Sequence, residues 1–389
     1  MKLAREIIDQ TIKLRRHFHQ NPELGMEEYE TSKKVAEILE ELGLTVKKNI
    51  ANTGVMGFLE GSKPGNTVLL RADMDALPIQ DEKNVPYSSK VSNKMHACGH
   101  DAHTAILLGV ARVLAQNREN LAGNVKFIFQ PAEETVGGAD AMIKEGVLEE
   151  FADTDYALAL HMDTDQPTGN VSLAMGASNA SSDMLSIELK GKGTHGAYPQ
   201  DGIDVILMAG QFINNIQGIV SRNISAAETA VLTMGKIEGG QAGNVIPEKV
   251  KLDGILRTLN KETRDLIMDK IEDHLDGLVK IHGGDYELEV IPGYPSLIND
   301  SNIADLIQNK GQEVLGEGSV EIFETPNMGV EDFAYFLQKV PGAMWYLGCG
   351  NEEKGIVYPG HNPKFDIDED ALEIGIRMQV ELTMELLEY

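Results

Sequence analysis

The sequence is short of cysteine, of positive charge and of long apolar runs. Only Cys98 and Cys349 occur among its 389 residues, so no disulfide framework staples the fold and a reducing compartment is expected. Lysine and arginine number 34 against 61 aspartates and glutamates, a formal net charge of -27. A surface of that sign repels nucleic-acid backbones and anionic membranes, which removes both from the expected partners. It does not by itself require a cationic substrate. No run approaches the roughly 20 apolar residues of a membrane span. Near the N-terminus Arg5, Glu6, Asp9, Lys13, Arg15 and Arg16 interrupt any signal-like apolar core. A cytoplasmic protein is the simplest expectation. Repeats and low-complexity tracts are also missing, and the length suits two domains, each with its own core.

What is there centres on Met95-His96-Ala97-Cys98-Gly99-His100-Asp101-Ala102-His103. Cys98 thiolate and His100 imidazole suit a borderline-soft divalent metal, and Gly99 lets the backbone bend so that both face one ion. Ala102, Ala105, Ile106, Leu108, Gly109 and Val113 follow at helical spacing, so the pair sits on a loop entering a helix N-terminus, where the dipole favours a thiolate. A buried cysteine beside chance histidines would read similarly, and two ligands do not make a site. The others must come from elsewhere.

Along the chain, helices are expected from residue 3 to about 20 and from 28 to 42. Strands are expected over 55–60 and 67–71, the latter running into Asp73-Met74-Asp75. The strand 124–130 ends in Pro131-Ala132-Glu133-Glu134, and the strand 156–161 ends on His161. Adjacent glutamates at a strand end point in different directions. One can bind metal while its neighbour handles a proton, although a solvated charge pair has the same spelling. Three strands ending in Asp, Glu-Glu and His, separated by helices, imply a mostly parallel sheet covered on both faces with its site at the carboxyl edge. The texture changes near residue 180. Strands over 183–190, 229–238, 248–256 and 286–291, with helices over 203–219 and 261–281, give the β-α-β-β-α-β order of a ferredoxin-like unit. The expected fold is therefore α/β: a catalytic domain over 1–180 and 295–389, interrupted by an insert over 181–294. Helices over 301–315, 331–339 and 369–387 and a strand over 343–347 complete the first domain, with His361 in the loop before the last helix.

With these residues assembled, the chain resembles the aminoacylase and carboxypeptidase family of dinuclear metallo-amidohydrolases. Its nearest branch holds bacterial N-acyl-amino-acid amidohydrolases, hippurate hydrolases and plant hydrolases of indole-acetyl-amino-acid conjugates. The resemblance covers essentially the whole chain. It rests on Arg15-Arg-His-Phe-His19 with Pro22-Glu-Leu24, Arg71-Ala-Asp-Met-Asp-Ala-Leu-Pro78, His96-Ala-Cys-Gly-His-Asp101 and Gln130-Pro-Ala-Glu-Glu134. Gly191-Lys-Gly-Thr-His-Gly-Ala197, Asn244-Val-Ile-Pro247, Met328-Gly-Val-Glu-Asp-Phe333 and His361 complete it.

The resemblance implies that Cys98, His100, Glu134, His161 and His361 hold two divalent ions, manganese or zinc with cobalt or nickel as alternatives. It implies Glu133 as general base and acid. Other branches carry His-x-Asp where this chain has Asp73-Met74-Asp75, so Asp75 is read as orienting a ligand imidazole. His195 is the implied oxyanion donor, Asn244 and Arg257 hold the substrate carboxylate, and Gly329 lies in backbone near the acyl or side-chain pocket. Apart from the resemblance, Arg257 reads equally well as a strand-surface charge. The implied reaction is hydrolysis of a small N-acyl-L-amino acid by a homodimer joined through the insert. A dipeptidase or carboxypeptidase, or an N-acetyl-diaminopimelate deacetylase, would share the machinery. A metal-loaded scaffold without activity would need the ligands but not Glu133.

Overall fold

The computed structural model describes residues 3–389, which divide into two compact units. One runs to Gly176 and resumes over Ile298–Thr325 and Asp332–Tyr389; the other comprises Ala177–Leu297 together with Pro326–Glu331.

The first unit is built on an eight-stranded sheet. Across it lie Thr45–Ile50, Gly54–Glu60, Ala122–Gln130, Lys63–Asp73, Tyr156–Pro167, Gly342–Gly350, Val171–Leu173 and Val320–Ile322. The four central strands, from Ala122–Gln130 to Gly342–Gly350, pair in parallel, and an antiparallel hairpin closes one edge. From Thr67 to Asp73 every residue is buried. That pattern belongs to a strand covered on both faces, and it explains why these strands read as continuous apolar runs instead of alternating ones. Register then fixes the site. Asp73 pairs with Gln130, and Arg71 with Ala159, two residues before His161. The residues after Asp73, those after Gln130 and His161 itself therefore reach the same sheet edge.

The strand Thr45–Ile50 was not expected, because Lys47, Lys48 and Asn49 hide its alternation and leave it half-exposed. The expected helix over 331–339 shrinks to Ala334–Leu337; Asp332, just before it, is buried and accepts from Arg71, Gln130 and the Ala139 N–H. Helix His100–Gln116 is buried almost all round, from His100 to Leu114, as an apolar helix packed inside a domain must be.

In the second unit the strands Ala230–Gly239, Lys249–Thr258, Asp183–Lys190 and Asp285–Pro292 lie in that order, each antiparallel to its neighbour. With helices Val205–Arg222 and Lys261–His282 between them the chain order is β-α-β-β-α-β. Leu185, Ile187 and Leu189 point inward on alternate positions and form one apolar cluster with Phe212, Ile216, Ile271 and Leu275. Asp204 and Asn260 start the two helices by accepting backbone N–H groups of the first turn.

Charged residues hold the first unit together from within. Arg15 is fully buried on helix Arg5–Gln20. Its Nε donates to Asp101 at 2.9 Å and its Nη2 to Asp366 at 2.7 Å, while His19 Nδ1 meets the same Asp101 oxygen at 2.7 Å. Asp101 follows His100, and Asp366 follows His361 by five residues, so one guanidinium ties together the two loops that carry these histidines. Burial alone pushes the Asp101 carboxyl up, but Arg15 and then His19 outweigh it and hold it well below the usual carboxylate range. A depressed folded pKa gives stability that is present above the unfolded value of about 3.9 and lost as pH falls below it. Arg15→Met takes the permanent cation from that charge, leaving it only His19, and should cost about 3–5 kcal/mol near neutral pH. The deficit should shrink as pH falls and be smallest below about pH 4, where the carboxyl that has lost Arg15 is protonated in both states. Denaturant midpoints of metal-free wild type and variant at several pH values test this, and a deficit independent of pH would contradict it.

Candidate metal centre

Gly99 precedes helix His100–Gln116 at φ +91°. An L side chain disfavours that conformation, and a Cβ there would come within 3.0 Å of Met162. The bend brings Cys98 Sγ to 3.5 Å from His161 Nε2. His161 Nδ1 lies 2.8 Å from the Met162 carbonyl oxygen, which places the ring proton on Nδ1 and leaves the Nε2 lone pair facing the thiol.

His100 is buried, with Nδ1 at 3.2 Å from Asp75 Oδ1. Its Nε2 has no hydrogen-bond partner among the described residues, although Glu134 Oε1 lies 3.9 Å away. His361 Nε2 approaches the same Glu134 oxygen at 3.1 Å. His361 is held at φ +62° with its own N–H on the Ala97 carbonyl at 2.7 Å, so the loop carrying it is fastened to the residue before Cys98. Asp75 uses its second oxygen to accept the Glu134 N–H at 3.0 Å; it therefore orients both an imidazole and a carboxylate. Ligand-type atoms lie within 4.8 Å of one another in three overlapping groups: Cys98, His100 and His161; Cys98, Glu134 and His361; and His100, Glu133 and Glu134.

Electrostatics favour a cation here. Burial and then the Glu134 charge push the Cys98 thiol well above its ordinary range. Burial alone would lower the His100 imidazole, but Asp73 outweighs it with help from Asp75, and the net shift is well upward. Both shifts favour the protonated forms, and a positive ion among these groups would oppose them.

Asp73 and His103 also approach His100, but they serve as a brace. Asp73 Oδ2 accepts from Arg71 at 2.6 Å, and its Oδ1 meets His103 Nδ1 at 2.6 Å. His103 Nε2 in turn accepts the Met162 N–H at 2.8 Å. Burial lowers the His103 pKa to about 4, so it is a neutral link between two strands. Arg71 continues to Gln130 and Asp332. Sequence reasoning missed this brace. Its one local signal is that Arg71 and Asp73, two apart in a strand, share a face.

The remaining sequence-derived residues lie in the second unit. His195 is exposed, pairs in register with Val245, and accepts the Ala197 N–H on Nδ1 at 3.1 Å. Gly196 N–H donates to the Asn244 carbonyl at 2.7 Å, which brings His195 and Asn244 together. Arg257 is half-buried between the inward Leu256 and Thr258, and burial lowers its pKa against the opposing pull of Asp183. The Gly329 N–H is held by Asn327 Oδ1 at 2.8 Å.

Residues 69–385 match the model of peptidase family M20/M25/M40. The chain belongs to that family. Among its relatives, thermostable carboxypeptidase 2 of Saccharolobus solfataricus is 39% identical over 96% of this chain and 94% of its own. N-acetylcysteine deacetylase of Bacillus subtilis is 37% identical over 97% of each. A solved Bacillus subtilis protein, described as a dinuclear metal-binding peptidase of the M20 family, superposes with a TM-score of 0.86 at 33% identity over 99% of both chains. M20 membership makes this chain a hydrolase of amide bonds with a centre for two divalent metal ions. The donors fit such ions: a thiol, imidazoles and a carboxylate converge, and His100 Nε2 is a buried ring nitrogen that lacks a protein partner. No helix among the described residues is long and apolar enough to cross a membrane.

Proposed function

We propose that this enzyme hydrolyses N-acyl-L-amino acids to a carboxylate and a free amino acid. In this reading Cys98, His100, Glu134, His161 and His361 are the metal ligands, and Asp75 fixes the orientation of His100 and Glu134. The observation that carries it is the pair of adjacent carboxylates. Glu134 faces the imidazoles of His361 and His100, while Glu133 belongs to the group with His100 without sharing the contact to His361. Bound divalent cations supply Lewis acidity, which lowers the pKa of water and polarises the amide carbonyl. Glu133 takes a proton from the attacking water and returns it to the leaving amine nitrogen.

His195 donates to the developing oxyanion. Its Nδ1 accepts a backbone N–H, a pattern that puts the ring proton on Nε2 and supports a donor role. Arg257 and Asn244 hold the substrate carboxylate, Arg257 by paired hydrogen bonds, and Gly329 lines the pocket with backbone. Manganese or zinc is the native metal, with cobalt and nickel as alternatives. The enzyme works in the cytoplasm as a homodimer joined through the second unit, whose sheet has edge strands open to pairing, and His195 serves the partner's centre.

Cleavage of peptides is the second reading, favoured by the likeness to a carboxypeptidase. A hydrolysis screen over acetyl, benzoyl and longer-acyl amino acids and over dipeptides, with each metal added in turn, separates the two. N-acyl-L-amino acids should exceed dipeptides in kcat/KM by about tenfold or more, since one mismatched pocket group is worth that much. Faster turnover of dipeptides would overturn the substrate assignment.

A further inference from the structure

Glu28 is a buried carboxylate that the mechanism above does not use. It stands at the start of helix Tyr29–Glu41, yet its side chain does not cap that helix. Glu23 does so instead, accepting the N–H groups of Glu30 at 3.1 Å and Thr31 at 2.8 Å. Glu28 points elsewhere. Its Oε2 accepts the Thr53 hydroxyl at 2.6 Å, and its Oε1 accepts the Ala132 N–H at 2.9 Å.

Ala132 immediately precedes Glu133 and is fully buried at φ +56°, a left-handed conformation that residues with a Cβ disfavour. Its carbonyl is held as well, by the Gly137 N–H at 3.0 Å. On the far side of Glu133, the Glu134 N–H is fixed by Asp75. Two buried carboxylates thus grip the backbone on either side of Glu133, and the Glu28 grip falls on the strained residue. Without an acceptor there, Ala132 would relax to negative φ, and the peptide leading into Glu133 would rotate.

We propose that Glu28 is a positioning residue: it locks Ala132 in the left-handed conformation that aims Glu133 into the group it forms with His100 and Glu134. This inference rests on Glu133 being the proton carrier. The lock needs an acceptor at the right reach and no negative charge. Glu28→Gln keeps length and acceptor, because its amide oxygen can take the Ala132 N–H while its amide nitrogen donates to Thr53. Glu28→Asp keeps the charge but withdraws the acceptor by one methylene.

The test compares Glu28→Gln, Glu28→Asp, Glu28→Ala and Glu133→Gln in the full-length enzyme. Three quantities are read: kcat and KM at saturating manganese or zinc, metal affinity by chelator competition, and the thermal midpoint of the metal-free protein. Misplacing a reacting group by about 1 Å costs about 10²-fold in rate. Glu28→Ala and Glu28→Asp should therefore lose about that much in kcat, with KM and metal affinity close to wild type because Asp75 still holds Glu134. Glu28→Gln should keep most of its kcat. If Glu28→Ala does not fold, the Gln and Asp variants still decide. An active Asp variant beside an inactive Gln variant would assign Glu28 a role of charge and overturn the proposal. So would a lowered thermal midpoint with unchanged kcat, or metal affinity lost in step with rate. Full activity of Glu133→Gln would overturn the proton-carrier reading and this inference together. An inactive Glu133→Gln beside fully active Glu28 variants would overturn this inference alone.

Discussion

Glu133→Gln should keep its bound metal and lose about 10²- to 10⁴-fold in kcat, the range for removing a general acid-base group. Glu134→Gln should lose metal as well. The two residues are neighbours in sequence and chemically alike, so the difference must come from where each side chain goes. Glu134 Oε1 lies 3.1 Å from His361 Nε2 and 3.9 Å from His100 Nε2, and its backbone is fixed by Asp75. Its charge is the negative counterpart to any cation among those imidazoles, and an amide supplies an oxygen without that charge. Glu133 needs only to exchange a proton, which an amide cannot do. Metal analysis after desalting, read beside kcat at saturating substrate, checks both halves. Treatment of wild type with a chelator should abolish turnover, and adding back a divalent metal should restore it. Equal metal loss in both variants would show that the division between proton carrier and ligand is wrong, and full turnover by metal-free protein would remove the metal mechanism.

The parts of this centre that could be read from sequence are those that a periodicity or a residue type announces. Val68, Leu69 and Leu70 form a continuous apolar run, and Val125, Phe127, Ile128 and Phe129 a run broken only by the buried Lys126, because their strands are covered on both faces. Parallel register then carries the residues after each run to one edge, so Asp75, Glu133, Glu134 and His161 could be grouped before any coordinates. Gly99 was legible because the backbone there demands glycine. Ala132 and His361 adopt the same left-handed region with side chains that give no hint of it. The backbone N–H of each is held by a partner distant in the chain, Glu28 for one and Ala97 for the other. The internal ion pairs were hidden for the same reason. Arg71 meets Asp332 across 261 positions, and Arg15 meets Asp366 across 351; a buried arginine in a sequence shows only that it needs an acid, not which one. Asp73 illustrates the trap. It sits beside the centre in space, yet Arg71 and His103 already engage both its oxygens.

Mixing Glu133→Gln with His195→Ala should regenerate activity that neither variant has alone. Each lesion by itself should leave a small residue of wild-type rate, since one removes the proton carrier and the other an oxyanion donor worth about 10²- to 10³-fold. The two residues belong to different compact units of the chain. If the dimer proposed above places His195 at the partner's centre, each site draws Glu133 from one chain and His195 from the other. A mixed dimer then contains one site with both lesions and one site with neither. Random pairing of equal amounts makes about half the dimers mixed, so roughly a quarter of all sites should be intact. Subunit exchange must be established independently, for instance by pairing differently tagged chains and recovering them together. If every chain supplied its own His195, each site would keep one lesion in every pairing and mixing would restore nothing. Confirmed exchange with no regained activity would therefore exclude the shared site. The metal assignments would stand in either case, because both variants retain Cys98, His100, Glu134, His161 and His361.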